Sequence, residues 1–244
     1  MPPGGSQVST GVRCWGLIPA AGVGRRFGAE VPKQYLALAG RPVIDHAIGA
    51  FVAHPGIAGC AVVLGAEDGW WADVSAYAGH PRVLRAPGGA ERCHSVRNGL
   101  EALAQRAADE DWVLVHDAAR PCLRRTDLDR LLEALQDEPV GALLAVPIAD
   151  TVKRADAGQV AETLPRSALW RAYTPQAFRL GLLRRALDHA ATKDLIVTDD
   201  ASAVELLGLR PALVECSADN IKITRPEDLP LAAFYLEQQR ETPC

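Results

Sequence analysis

Residues 18–35 read IPAAGVGRRFGAEVPKQY. An apolar run ends in Ala20, Ala21, Gly22 and Gly24, which carry little or no side chain. Arg26 and Lys33 follow within a few positions. Small residues let a phosphate or a base approach backbone N–H groups closely, as in other anion-cradling loops. Arg26 and Lys33 add charge that no backbone supplies. Phosphoryl transfer asks little covalent help of a protein, because its barrier falls through positioning and through positive charge on the phosphorus oxygens. The stretch is neither a dinucleotide fingerprint, since Phe27 stands where G-x-G-x-x-G needs glycine, nor a Walker loop, since no G-K-[ST] follows. On these residues alone, a tight turn with solvated arginines remains open.

Other segments carry charge at turn-like places. HDAARP (116–121) ends a buried run in Asp117, Ala118 and Arg120. Arg120 suits a two-pronged grip on phosphate, and a plain ion pair with Asp117 is the alternative. APGGAERCHSV (86–96) offers Gly88 and Gly89 for close backbone approach. Lys222 lies between Ile221 and Ile223, so alternation points it away from two core residues.

The elements that position these residues follow from periodicity. Strand patterns fall at 15–21, 59–65, 82–87, 112–118, 141–148 and 211–218. Helical patterns fall at 42–53, 70–78, 92–106, 126–137, 180–191, 199–207 and 226–239. Val-, Leu- and Ile-rich strands separated by helices predict an α/β fold, a mostly parallel sheet with helices on both faces and right-handed crossovers. The first strand then delivers residues 20–33 to the carboxyl edge of the sheet, where such folds hold ligands. Thr224 to Glu227 matches the pattern of a helix-starting capping box. Residues 151–166 alternate around Asp-Ala-Gly and predict a protruding hairpin, which is a poor structure alone and calls for packing on a second copy.

The chain has 244 residues, 26 basic and 30 acidic side chains, a net charge of −4, 48% hydrophobic and 23% charged residues. One large domain with a sizeable core fits, with residues 1–13 as a loose tail. The charge balance argues against a nucleic-acid partner, and no apolar run approaches a membrane span. The six cysteines contain no C-x-x-C pair and read as reduced thiols of a cytoplasmic protein. The six histidines fall in no metal-ligand spacing and read as structural or surface residues.

The longer string A-A-G-x-G-x-R-x-G followed by P-K-Q resembles the signature of nucleotidyltransferases that couple a nucleoside triphosphate to a sugar or polyol phosphate. With VHDAARP (115–121), DTVKR (150–154), LWRAYTPQAF (169–178), TDDAS (198–202) and DNIKITRPEDL (219–229), it resembles the 2-C-methyl-D-erythritol 4-phosphate cytidylyltransferases of the non-mevalonate isoprenoid pathway, over about residues 14–240. The resemblance implies a single Rossmann-like domain over 14–244 with a dimerisation arm at about 150–172. It also implies a homodimer, CTP and a polyol phosphate as substrates, and Mg²⁺ or another divalent cation, with its ligands undefined. It implies a nucleotide site of Ala20, Ala21, Gly22, Gly24, Arg26, Lys33, Gly89, Ser95, Asp117, Ala118 and Lys222. The polyol phosphate falls to Asp117, Arg120, Thr151, Arg166, Thr174, Thr198 and Lys222, with Arg166 reaching the partner subunit's site. Catalysis falls to Arg26, Lys33, Arg166 and Lys222. Ala90 stands where an acidic residue is common in the family. Ribitol-5-phosphate cytidylyltransferases share much of the string, and a non-catalytic nucleotide-binding homologue is a third reading.

Overall fold

A computed structural model of the chain describes residues 11–22 and 31–241; Gly24, Arg26 and most of the N-terminal tail lie outside the described residues. The chain runs β1 (Cys14–Pro19), a short turn at Lys33–Tyr35, β2 (Ala37–Leu38), β3 (Arg41–Pro42), α1 (Val43–Val52), β4 (Ile57–Leu64), α2 (Trp71–Val74) and β5 (Val83–Pro87). It continues with α3 (Arg92–Leu103), β6 (Trp112–Val115), α4 (Arg125–Ala134), β7 (Gly141–Pro147), β8 (Val152–Asp156), β9 (Gln159–Leu164) and β10 (Trp170–Arg179). α5 (Leu180–Thr192), α6 (Asp200–Glu205), β11 (Ala212–Glu215) and α7 (Asp228–Glu241) complete it.

The main sheet is ordered β11-β7-β10-β6-β1-β4-β5. β1 pairs in parallel with both β4 and β6, β4 with β5, and β7 with β11. β10 runs antiparallel between β6 and β7. The central strands are buried on both faces, so successive residues feed two cores. Ile18, Val62 and Leu114 pack with Ile44, Ile48 and Phe51 of α1 and with Leu128 of α4. Their neighbours Leu17, Val63 and Val115 pack with Leu100 of α3 and Leu183 of α5. That period of two is why the sequence reads as near-continuous apolar runs. α7 makes a third cluster with the β2–β3 hairpin, through Leu38, Val43, Ile223, Ala232 and Leu236.

β10 is the strand that the sequence pattern does not announce. Its stretch YTPQAF holds a proline and a glutamine, yet all six residues are buried. Gln176 is tolerated because its amide donates to Asp199 Oδ2 at 2.8 Å and accepts from Ala201 N at 2.8 Å, so no polar atom of that side chain is stranded. The capping-box expectation at Thr224–Glu227 is corrected. The carboxylate that takes the N–H groups of Thr224 and Arg225 is Asp228 Oδ2, at 2.7 and 2.9 Å, one residue further on. The predicted helix at 70–78 is only the single turn of α2.

β8 and β9 form the expected hairpin, turning at Ala157 and Gly158, both at positive φ; such a turn matches the twist of the ribbon. It is exposed along nearly its whole length, and Val160 is 66% exposed.

At the sheet's other end, Asp111 fastens the chain just before β1. It is buried and accepts from Arg13 N at 2.9 Å, Trp15 Nε1 at 3.1 Å and Ala108 N at 3.1 Å. Burial alone would raise its pKa; those hydrogen bonds and the Arg13 charge outweigh it and hold the carboxyl below its usual range. Asp111→Ala strands three donors and is expected to cost about 2–3 kcal/mol, lowering the melting temperature by roughly 5–10 °C. Because the folded pKa is depressed, wild-type stability from this group is present above the ordinary carboxylate range and fades as pH falls through it. Thermal melts of both proteins from neutral pH downward should therefore converge in acid; a constant gap would sink the account.

Candidate active site

The order of the strands reverses at β1. The chain winds from β1 out through β4 to β5, then returns to place β6 on β1's other side. The carboxyl ends of β1 and β6 thus lie side by side at a topological switch point, the place where open α/β sheets bind ligands. A cavity of about 240 Å³ lies there, lined by Ala20, Ala21, Gly22, Lys33, Gly89, Ser95, Asp117, Ala118 and Lys222, along with several neighbours. A larger groove of about 1030 Å³ opens among Val12, Asp109, Val140, Arg179 and Gly181, but these residues sit at the amino ends of β1, β6 and β7, the face such sheets do not use.

Three loops build the cavity. After β1, Ala20 N still pairs with Val63 O at 2.8 Å, and Gln34 Nε2 donates to Ala20 O at 3.1 Å, which draws the Lys33 turn onto the loop. After β5, Gly88 N donates to Leu64 O at 2.7 Å, and a Cβ on Gly88 would fall 2.3 Å from that of Ala21. Glycine is needed there so that the two loops can touch. Ser95 Oγ accepts from Gly89 N at 3.1 Å and donates to Glu91 O at 3.2 Å, fixing the second loop to α3. After β6, Ile223 N donates to Ala119 O at 2.8 Å and Lys33 Nζ to Ile223 O at 3.3 Å. The segment carrying Lys222 is thereby tied to both other walls.

Asp117 is the electrostatic centre. Its carboxylate lies 2.8 Å from Lys222 Nζ, 3.5 Å from Arg120 Nε and 3.6 Å from Arg92 Nε. Burial opposes its ionisation, but Lys222 first, then Arg92 and Arg120, hold it well below the usual carboxylate range. The neighbouring His116 is fully buried and its pKa is pushed down to about 4, chiefly by that burial. Thr174 Oγ1 accepts from Asp117 N at 3.1 Å and lies 2.9 Å from His116 Nδ1, which must accept the hydroxyl proton because the ring's other nitrogen faces a carbonyl. His116 Nε2–H then donates to the Arg120 carbonyl at 3.0 Å. A neutral imidazole of one tautomer holds the whole 116–120 turn in shape.

Among the lining side chains, Lys33, Arg92 and Lys222 face two carboxylates, Glu91 and Asp117. With bare backbone after β1, the cavity suits a polyanion that stays close to the main chain.

Comparison with known proteins is specific. Residues 15–238 match the family model for 2-C-methyl-D-erythritol 4-phosphate cytidylyltransferase. The chain belongs to this family. The enzyme of that name from Pseudomonas putida (strain GB-1) is 56% identical over 217 residues, 88% of this chain and 92% of its own. That from Ectopseudomonas mendocina (strain ymp) is 54% identical over 230 residues, 93% and 97% of the two chains. The crystal structure of the Francisella tularensis enzyme superposes with a TM-score of 0.80 at 37% identity, covering 91% of this chain and 99% of that one.

Within the family signature, the described nucleotide-site residues expected from sequence all line one cavity. Of the polyol-site residues, Asp117 and Lys222 line it too, whereas Arg120, Thr151, Arg166, Thr174 and Thr198 do not. Arg120 turns inward, donating to Asn220 O at 2.7 Å with its guanidinium 4.5 Å from the Tyr173 ring centroid. Thr174 is buried beneath Asp117. Thr151, Arg166 and Thr198 are exposed away from the lining. Arg166 donates to Ala149 O, closing the base of the β8–β9 arm. Sequence reasoning missed Arg92, which reaches from the first turn of α3 to Asp117 and, at 2.8 Å, to the buried Asp200. The signal was present in pieces: an arginine after the glycine loop, and an aspartate in TDDAS with no apparent partner.

Proposed function

We propose that this cavity transfers the cytidylyl group of CTP to 2-C-methyl-D-erythritol 4-phosphate, releasing pyrophosphate. The observation carrying this reading is that a signature spanning nearly the whole chain folds its described nucleotide-site residues into one cationic cavity at the switch point. An oxygen of the polyol phosphate attacks the α-phosphorus of CTP; that P–O bond forms as the α–β bridging bond breaks, and the electrons leave with pyrophosphate. No side-chain nucleophile is required. The loop from Ala20 to Gly22 receives the triphosphate, with Gly24 and Arg26 further along it. Lys33 and Arg26 stabilise the charge that grows on the phosphorus oxygens. The Gly89–Ser95 loop receives the base and ribose through its backbone. Lys222, held by Asp117, orients the attacking phosphate.

A divalent cation such as Mg²⁺ fits this donor set. Asp117 is an ionised carboxylate at the cavity, and Mg²⁺ is commonly held by one or two carboxylates plus substrate phosphates. Such an ion supplies charge neutralisation and orientation to the triphosphate. Asp117 would be the residue of this cavity that holds such an ion beside the substrate phosphates.

The exposed arm is a ribbon without a core of its own. Packing it on a second copy in a two-fold homodimer covers it and carries Arg166 and Thr151 toward the partner's cavity, which accounts for their distance from the cavity of their own chain. Arg166→Ala is then expected to raise KM for the polyol phosphate roughly tenfold or more, with KM for CTP nearly unchanged. Steady-state kinetics with each substrate varied checks this, and a change confined to CTP would overturn the site map. No helix among the described residues is long and apolar enough to cross a membrane. The described cysteines are all free thiols, in keeping with a cytoplasmic setting.

The direct test mixes pure protein, CTP and Mg²⁺ with each polyol phosphate in turn and follows pyrophosphate. Release with methylerythritol phosphate supports the reading; release only with ribitol 5-phosphate, or none with either, rejects it.

A further inference from the structure

Beyond that reaction, the wall of the cavity carries ligands of a different chemical kind. Glu91, Cys93 and His94 sit where the glycine loop enters α3. Their ligand atoms, a carboxylate oxygen, Sγ and a ring nitrogen, all lie within 4.8 Å of one another, with Cys93 Sγ 3.8 Å from Glu91 Oε2. Read along the sequence, His94 shows no metal-ligand spacing; the helix turn is what brings the three groups together. We propose that they form a binding site for a borderline-soft divalent metal ion of the Zn²⁺ class, at the rim of the cavity that Glu91 also lines.

The chemistry of the set decides the class. A thiolate and an imidazole are first-rank ligands for such ions, a carboxylate completes a third position, and a fourth is left for water. Mg²⁺ demands oxygen ligands, so the site does not duplicate the ion carried by the triphosphate. Glu91 and His94 are exposed and Cys93 is half-buried, so entry is open. The intervening Arg92 does not stand against a cation there, because its guanidinium is turned to Asp200 and Asp117. The location matters. A Cβ on Gly89 would meet His94 Cβ at 2.3 Å, and Glu91 O is held by Ser95 Oγ. An ion seated on Glu91 and His94 therefore pins the loop whose inner face lines the cavity.

Cysteine chemistry elsewhere leaves the test clean. Burial pushes the thiols of Cys14 up to about 11 and of Cys122 and Cys216 up to about 12, and raises that of the fully buried Cys60 as well. Cys244 is removed by using Cys244→Ser as the parent. Cd²⁺ titrated into that protein, without added thiol or nucleotide, is expected to give a saturable thiolate-to-metal charge-transfer band at one equivalent. Cys93→Ser abolishes the band, and His94→Ala weakens Cd²⁺ binding on the order of tenfold or more, with circular dichroism reporting an unchanged fold. Zn²⁺ displaces Cd²⁺ from the parent, whereas Mg²⁺ in excess does not. A band that survives Cys93→Ser, an affinity unaltered by His94→Ala, or no saturable band at all overturns the proposal.

Discussion

Lys33→Ala is expected to lose turnover by about 10²-fold or more, the usual cost of removing one preorganised charge donor from a transition state. Lys33 stands on the short turn after Pro32, and Gln34, its neighbour, is bonded to Ala20 O. The turn is thus fixed to the phosphate loop by a residue other than the lysine. Lys33 Nζ reaches Ile223 O, within the segment that carries Lys222. Its removal leaves the β1–β4 core untouched, so the loss is expected in kcat with little change in thermal stability. Pyrophosphate release under saturating substrates measures the first, and a thermal melt the second. Lys33→Arg should restore only part of the rate, since a planar fork does not occupy the place of a compact ammonium. Turnover within a few-fold of wild type in Lys33→Ala would remove this lysine from the chemistry.

The contrast between Lys33 and Arg166 shows what a sequence can disclose here. Lys33 was legible because the backbone that carries it is marked locally, by a small-residue loop, a proline and a strand end, even though its Nζ reaches Ile223 O 190 positions away. The same holds for Gly89 and Ser95, which one helix turn brings together. The sheet was legible for a similar reason, since strands such as β4 and β6 are apolar on both faces and flanked by helices. β10 was not. Its burial rests on Gln176 meeting Asp199 and Ala201, a pairing across more than twenty residues that no local pattern encodes. Arg92 was hidden in the same way, because its partner Asp200 lies 108 positions away. Arg120 is the reverse case: the motif marks it for substrate, and in this chain its guanidinium lies against Asp117, Asn220 and the face of Tyr173, with its buried Nε lacking a hydrogen-bond partner among the described residues. Arg166 does not line the nucleotide cavity of its own chain among the described residues, and it gains a site only on the proposal that a second copy packs against the arm.

The Lys222–Asp117 pair carries the other large expected effect. At 2.8 Å it is the shortest contact Asp117 makes with a cation among the described residues, and Lys222 is the largest influence among those lowering that carboxyl's pKa. Lys222→Ala is expected to reduce kcat/KM by about 10²–10³-fold. It also lets the Asp117 pKa rise, so the acid limb of the rate profile moves upward in pH relative to wild type, where the carboxylate stays ionised well into acid. Two explanations share this outcome: Lys222 holds the attacking phosphate, or it only keeps Asp117 charged and in place. A double-mutant cycle separates them. If Lys222 matters only through Asp117, then Asp117→Asn makes a further Lys222→Met change almost harmless, and the double variant matches the Asp117→Asn single variant in both rate and pH profile. If Lys222 also grips phosphate, the double variant falls well below that single variant, with KM for the polyol phosphate rising again. The exposure of Lys222, 41% for its side chain against 11% for Asp117, favours the second result, because an ammonium kept only for a buried partner has no reason to stand so open at the cavity.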